Sequence, residues 1–300
     1  MDGFVNFYKE PGFTSHDAVA FLRRRLGQKR IGHTGTLDPA ASGVLPLCLG
    51  KATKLAEYFN LEACRKSYRG EICFGLTTDS YDGAGNVIDE QDASHLTEAR
   101  VRAELPKFTN EIEQVPPMVS ALKYQGQPLY KLARKGQEVE RPARRVMIYK
   151  LEVVEIQFGG PRPKLTLDIT CSKGTYIRSL AHDLGQALGV GAHLAALCRL
   201  TVGPFCLEDA WKSQDIDIAL EAGNKDFLLP PAFALPHLPV VRVNEEAARS
   251  ICHGNAALYQ GEIDGLCQIW DKAGILLAIG RAVGGCLLVD KVLVDIQVAE

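Results

Sequence analysis

Apolar positions first recur at helical spacing at Val19, Leu22 and Leu26, in the stretch between Thr14 and Gly27. Thr14 with Asp17 three residues on has the form of a capping box, and Gly27 suits the left-handed residue that ends a helix, so the spacing predicts a helix here. The period changes at 66–74, where Tyr68, Ile72 and Phe74 alternate with Ser67, Arg69, Glu71 and Cys73 as on a half-buried strand. Asp79 to Asn86, rich in Asp and Gly, reads as a turn. Leu165, Leu167, Ile169 and Cys171 predict a second strand. After Lys173-Gly174-Thr175, a helix is marked by Ile177, Leu180, Ala181, Leu184 and Leu188 and closed by Gly189. Tyr176 and Arg178 fall in its first turn, at a strand-to-helix junction able to aim side chains into a cleft.

Strands and helices interleave without a steady repeat, which predicts an α+β fold with a mostly antiparallel sheet. Pro230, Pro231, Pro236 and Pro239 suggest a linker. Beyond it come a helix from near Asn244 to Gly254 and short strands punctuated by Gly265, Asp271 to Gly274, and Gly284-Gly285. The expected organisation is a large domain over 1–229, a linker over 230–239 and a small β-rich domain over 240–300.

At 300 residues and 46% apolar composition the chain can bury a full core. The start, Met1-Asp2-Gly3, lacks the basic and apolar regions of a signal peptide. No apolar run approaches the roughly 18 residues of a membrane helix, so a soluble protein is expected. The 9 cysteines sit mostly in apolar stretches such as Leu47-Cys48-Leu49, with no C-x-x-C pair, which favours reduced thiols in the cytoplasm over disulfides or zinc. The 7 histidines lack metal-binding spacing. Asp79 and Asp82 hint at a calcium loop, but their spacing fits a hairpin turn better.

Net charge is only -2, yet its distribution is uneven. No acid falls between Asp17 and Asp38, whereas Arg23, Arg24, Arg25, Lys29 and Arg30 do. Farther on, Lys123, Lys131, Arg134, Lys135, Arg141, Arg144, Arg145 and Lys150 face only Glu138 and Glu140. Such stretches either neutralise nucleic-acid phosphates or are solvated faces.

Candidate chemistry is densest between Gly32 and Lys54. Gly43 to Lys51 fails as a phosphate-binding loop, because six residues separate Gly43 from Gly50, Ala52 replaces the magnesium-holding hydroxyl and Pro46 removes a donor. Alone, Asp38-Pro39 reads as a turn; Gly32, Gly35 and Gly43 permit tight backbone around its short carboxylate.

The run Gly32-His33-Thr34-Gly35-Thr36-Leu37-Asp38-Pro39 resembles the signature of the TruB family, the pseudouridine-55 synthases of tRNA. Further stretches resemble that family in the same order: Lys9 to Asp17, Lys66-Ser67-Tyr68-Arg69, Thr77 to Gly83, Ser120 to Gly126, Ser172 to Arg178, and Gly191-Ala192-His193 followed by Arg199-Leu200. Glu10 departs from the family's usual proline. The resemblance implies a pseudouridine synthase fold, catalysis by Asp38 without cofactor or metal, and an Arg178 that pairs with Asp38. It implies that Tyr68 stacks on a flipped uracil, that Tyr176 and Leu200 line the base pocket, and that His33 meets displaced T-loop nucleotides. Backbone contacts are expected from Arg23, Arg24, Lys29, Arg30, Lys123, Arg141 and Arg144. The region from Pro239 resembles a PUA-type RNA-binding domain. The expected partner is the T stem-loop of tRNA and the expected state a monomer. The alternative is a tRNA-binding or tRNA-folding protein that keeps this fold without relying on catalysis.

Overall fold

The computed structural model describes residues 1–60, 64–120, 122–133 and 135–294; Arg134, and Ala121 within the Ser120 to Gly126 motif, lie outside the described residues. Among the described residues, ten strands form one sheet: β1 (Gly3–Lys9), β2 (Ile31–His33), β3 (Ser42–Leu49), β4 (Lys66–Phe74), β5 (Asn110–Gln114), β6 (Arg144–Gln157), β7 (Lys164–Cys171), β8 (Ala192–Val202), β9 (Phe205–Cys206) and β10 (Leu228–Leu229). Their order is β10-β1-β3-β8-β4-β7-β6-β5, with β2 added to β3 and β9 to β8. Neighbours are antiparallel except β3 and β8, which run parallel through Ser42↔Cys198 and Gly43↔Arg199. The expected α+β architecture with a mostly antiparallel sheet is what forms.

Helix α1 (Ser15–Leu26) starts at the Thr14–Asp17 capping box and ends at Gly27, whose φ is 59°. Helix α2 (Ile177–Leu188) ends at Gly189 with φ 73°. Ala18, Val19 and Leu22 of α1 and Leu180, Ala181 and Leu184 of α2 share one core with Val5, Phe7, Leu47, Ile72 and Leu167 of the sheet. Full burial of a Leu or Phe stabilises by roughly 1.5–3 kcal/mol. Packing therefore outweighs helix propensity in fixing where α2 begins, and with it Arg178.

A second layer of apolar contacts lies on the other side of the sheet, where Phe4, Val44, Val202 and Phe205 meet Leu235, Leu238, Ile279 and Leu293. Ile279 lies within, and Leu293 directly after, a smaller five-stranded sheet built from β11 (Val240–Arg242), β12 (Ala257–Leu258), β13 (Gly265–Trp270), β14 (Leu276–Val283) and β15 (Cys286–Val292), in the order β11-β13-β14-β15-β12. Helix α3 (Glu245–Cys252), capped by Asn244, packs on it. The 230–239 stretch connects the two sheets but is not a loose linker. Ala234, Leu235 and Leu238 between its prolines are buried, and Gln268 Nε2 donates to Leu235 O (2.9 Å) and Leu238 O (3.0 Å). Lys54 Nζ donates to Val292 O at 2.8 Å, and Lys291 pairs with Glu57 at 3.1 Å.

Candidate active site

The Gly32 to Ser42 loop leaves β2 and enters β3 beside β8, and three buried groups hold it there. Gly43 has φ 106°, and a Cβ at that position would lie 2.2 Å from Arg199 O, so the close approach of β3 to β8 requires glycine. Arg199, itself 1% exposed, donates from Nε to Val44 O (2.7 Å), from Nη2 to Gly35 O (3.2 Å) and from Nη1 to Thr36 O (3.4 Å). Lys9, fully buried at the end of β1, donates to Phe13 O (2.6 Å), Glu10 O (3.0 Å) and Pro39 O (3.1 Å). Burial pulls the Lys9 ammonium down to about 8, while the Asp38 carboxylate holds it up in part. Ser15 Oγ accepts from Leu37 N (2.9 Å). Residues on both sides of Asp38 are thereby anchored to the core.

Arg178, 4% exposed in the first turn of α2, meets the Asp38 carboxylate side-on: Nε lies 3.0 Å from Oδ2 and Nη2 3.1 Å from Oδ1. Its remaining N–H groups face Val119 O (2.9 Å), Ser80 O (3.2 Å) and Asp82 Oδ2 (3.5 Å). A guanidinium whose donors all point at acceptors has no freedom to swing, so it fixes the plane of the carboxylate. Asp38 keeps 40% of its side chain open toward a cavity of about 240 Å³, which Asp82, Arg178, Leu194, Ala195 and Leu197 also line. Burial pushes the Asp38 carboxyl above its ordinary value and Asp82 adds to this, while Arg178 and Lys9 oppose it. The Asp82 loop is braced in turn. Tyr81, held at φ 64°, stacks on His182 of α2 with ring centroids 3.9 Å apart, and Asp82 Oδ1 accepts from Ser80 Oγ and Ala84 N.

Tyr68 is 8% exposed on β4, paired with Ile169 and Arg199, its phenol facing the Arg199 guanidinium and pushed up to about 12 by burial. Tyr176 caps α2 and exchanges backbone hydrogen bonds with the Gln114 side chain (3.1 and 3.3 Å). Burial raises its phenol, and Arg178 and Asp38 both act on it. His33 ends β2 half-buried, with an interior Nδ1 that has no hydrogen-bond partner and a ring that burial keeps toward the neutral form. Leu200, expected in the pocket, does not line this cavity. It falls at a register shift between Arg199 and Thr201, and the leucines that reach the cavity are Leu194 and Leu197. Arg23, Arg24, Lys29, Arg30, Lys123 and Arg144 are exposed and stand apart from the cavity lining. Arg141 is half-buried, donating to Pro116 O at 3.1 Å.

The chain that carries this buried arginine and loop aspartate is similar over most of its length to known proteins. Residues 23–177 match the family model described as TruB family pseudouridylate synthase (N terminal domain), and residues 178–230 match the tRNA pseudouridylate synthase B C-terminal domain. The chain belongs to the TruB family. Relatives called tRNA pseudouridine synthase B include that of Symbiobacterium thermophilum, 54% identical over 85% of this chain and 83% of the relative. That of Moorella thermoacetica is 51% identical over 93% of both. A chain in the structure of an H/ACA RNP bound to a substrate RNA containing 2′-deoxyuridine superposes on this TruB-family chain with TM-score 0.73 at 26% identity, covering 98% of this chain and 86% of that one. A chain of a Cbf5-Nop10-Gar1 complex gives 0.72 at 28% identity, covering 99% and 86%.

Within this family site, Lys9, Asp82, Leu197 and Arg199 carry geometry that sequence reading did not assign to them. Asp82 lies in the Thr77 to Gly83 motif and reads there as a turn residue; Lys9 and Arg199 lie within or beside quoted motifs and gave no signal of burial.

Proposed function

We propose that this protein is a tRNA pseudouridine synthase, an isomerase that converts uridine-55 of the T loop to pseudouridine. The observation that carries this reading is the side-on pairing of Asp38 with the buried Arg178 at a cavity, in a chain whose relatives bear that name. The reaction breaks the C1′–N1 bond, turns the uracil, joins C1′ to C5, and moves the C5 proton away as N1 gains one. It needs no net oxidant and no energy source. It needs a carboxylate, as base or nucleophile, within reach of ribose and ring. Burial favours protonation of Asp38, and Arg178 opposes it while fixing the plane of the carboxylate.

A base stacked inside a loop cannot reach Asp38, so the target nucleotide flips out and Tyr68 gives it an aromatic platform, with Tyr176 and Leu197 beside it and His33 toward the displaced nucleotides. Exposed Arg23, Arg24, Lys29, Arg30, Lys123 and Arg144 hold the RNA backbone. In this reading residues 1–229 form the catalytic domain and 240–300 a PUA-like domain gripping the tRNA, joined by the packed 230–239 strap, and the protein acts as a cytoplasmic monomer. Among the described residues, no helix is long and apolar enough to cross a membrane.

The test is tritium release from 5-tritiated uridine in an unmodified tRNA transcript, with EDTA present and no nucleotide added. Release that vanishes when the T-loop target uridine is replaced supports the reading. tRNA binding without any release would favour the folding role instead.

A further inference from the structure

One lysine side chain beside the Asp38 loop has no partner among the described residues. Lys66 opens β4, and its ammonium points at the loop: a Cβ built on Gly35 would lie 3.4 Å from Lys66 Nζ and 3.9 Å from Arg199 Nη1. Among the described residues the Lys66 side chain makes no hydrogen bond and no ion pair, and the groups acting on it are the Arg199 guanidinium and the Cys171 and Cys64 thiols, with no carboxylate among them. Arg199 gives it no relief, because that side chain is a second cation and donates to carbonyls of its own loop. A part-buried cation beside another cation, with no anion near, is an arrangement that folding alone disfavours. Two residues along, on the same face of β4, stands Tyr68. The Cα atoms of the two residues are about 6.6 Å apart along the strand, so the bases of both side chains rise from one patch of β4.

We propose that Lys66 is a phosphate subsite: its ammonium, at Gly35, holds one of the two backbone phosphates flanking the target nucleotide while Tyr68 underlies the base. This rests on the reading that the site takes a flipped uridine. Lysine suits the task as a compact point charge with rotatable donors. Burial pulls the empty-site ammonium down to about 8, so it is charged at neutral pH, and a bound phosphate restores its affinity for the proton.

The experiment uses the full chain, wild type and Lys66→Met, with T stem-loop RNAs in which each flanking phosphate is replaced singly by a neutral methylphosphonate. One of the two replacements is expected to weaken wild-type binding about tenfold and leave Lys66→Met indifferent. The variant's salt slope is expected to be shallower by about 0.7, the value for one phosphate on a single strand. Its melting temperature should equal or exceed the wild type's, because an uncompensated cation has gone; Lys66→Gln replaces it if the methionine variant fails to fold. Methylphosphonates that weaken wild type and variant equally, or that weaken neither, overturn the proposal. Failure of the underlying reading shows separately, as no tritium release by the wild type from the all-phosphate RNA.

Discussion

Arg178 and Arg24 carry the same charge, and their surroundings give it opposite uses. Arg178 is almost wholly buried, with its donors aimed at two carboxylates and two carbonyls. Arg24 stands exposed in the last turn of α1, where its neighbour Arg25 reaches Asp217 with side chains 53% and 27% exposed. In the cleft, removing one partner strands the rest away from water, so each group is sensitive and the response is all-or-none. On the helix, water and salt screen every charge, so contributions are small, graded and roughly additive. In the proposed function the buried network would set the geometry of reaction and the exposed run would attract a polyanion.

Four variants test that contrast, from the strongest effect down. Arg178→Lys keeps the charge but loses the planar fork, and the single-turnover rate should fall by about 10³-fold with the far-UV spectrum unchanged; a loss under about tenfold would break the distinction. Lys9→Met strands three carbonyls around the catalytic loop and should lower stability by about 3 kcal/mol in urea unfolding. The sign of its pH dependence follows from burial, which lowers the Lys9 ammonium from 10.5 to about 8. Between those values the unfolded chain binds the proton and the folded one does not, so wild type should gain stability relative to Lys9→Met as pH rises through that window.

Asp82→Asn should lower the rate at neutral pH about tenfold by loosening Arg178. It should also move the acid limb of turnover to lower pH, because Asp82 helps to raise the Asp38 carboxyl and a neutral side chain cannot. An unmoved limb, read from a pH–rate profile, would disconnect the two carboxylates. Smallest of all, Arg24→Ala with Lys29→Ala should weaken tRNA binding by a few-fold and make its salt dependence shallower, leaving saturating turnover alone. A drop in saturating turnover would place those residues in the chemistry.

Local patterns made much of the scaffold legible. The Thr14–Asp17 box, the alternation at 66–74 and 165–171, and the helix closed by Gly189 all appear with the expected bounds. They are readable because caps, periods and terminal glycines act over a few residues. The site was legible only through motif resemblance, since Asp38 and Arg178 are 140 residues apart in the chain and only β3–β8 pairing and the packing of α2 bring them together. Lys9 was hidden because nothing local distinguishes a buried lysine from a solvated one. Leu200, named through the resemblance alone, sits at a register shift of β8, and the cavity lining takes Leu194 and Leu197 of that strand instead. The packing of the 230–239 stretch was not legible, because prolines say nothing of the apolar residues between them, which are buried.

The most direct test of the account is Asp38→Asn, which preserves shape and removes the ionised carboxylate, measured for tRNA affinity and for tritium release in a single turnover. Affinity within a few-fold of wild type and no detectable release are expected. Release at a rate comparable to wild type would contradict it and move the chemistry to another group.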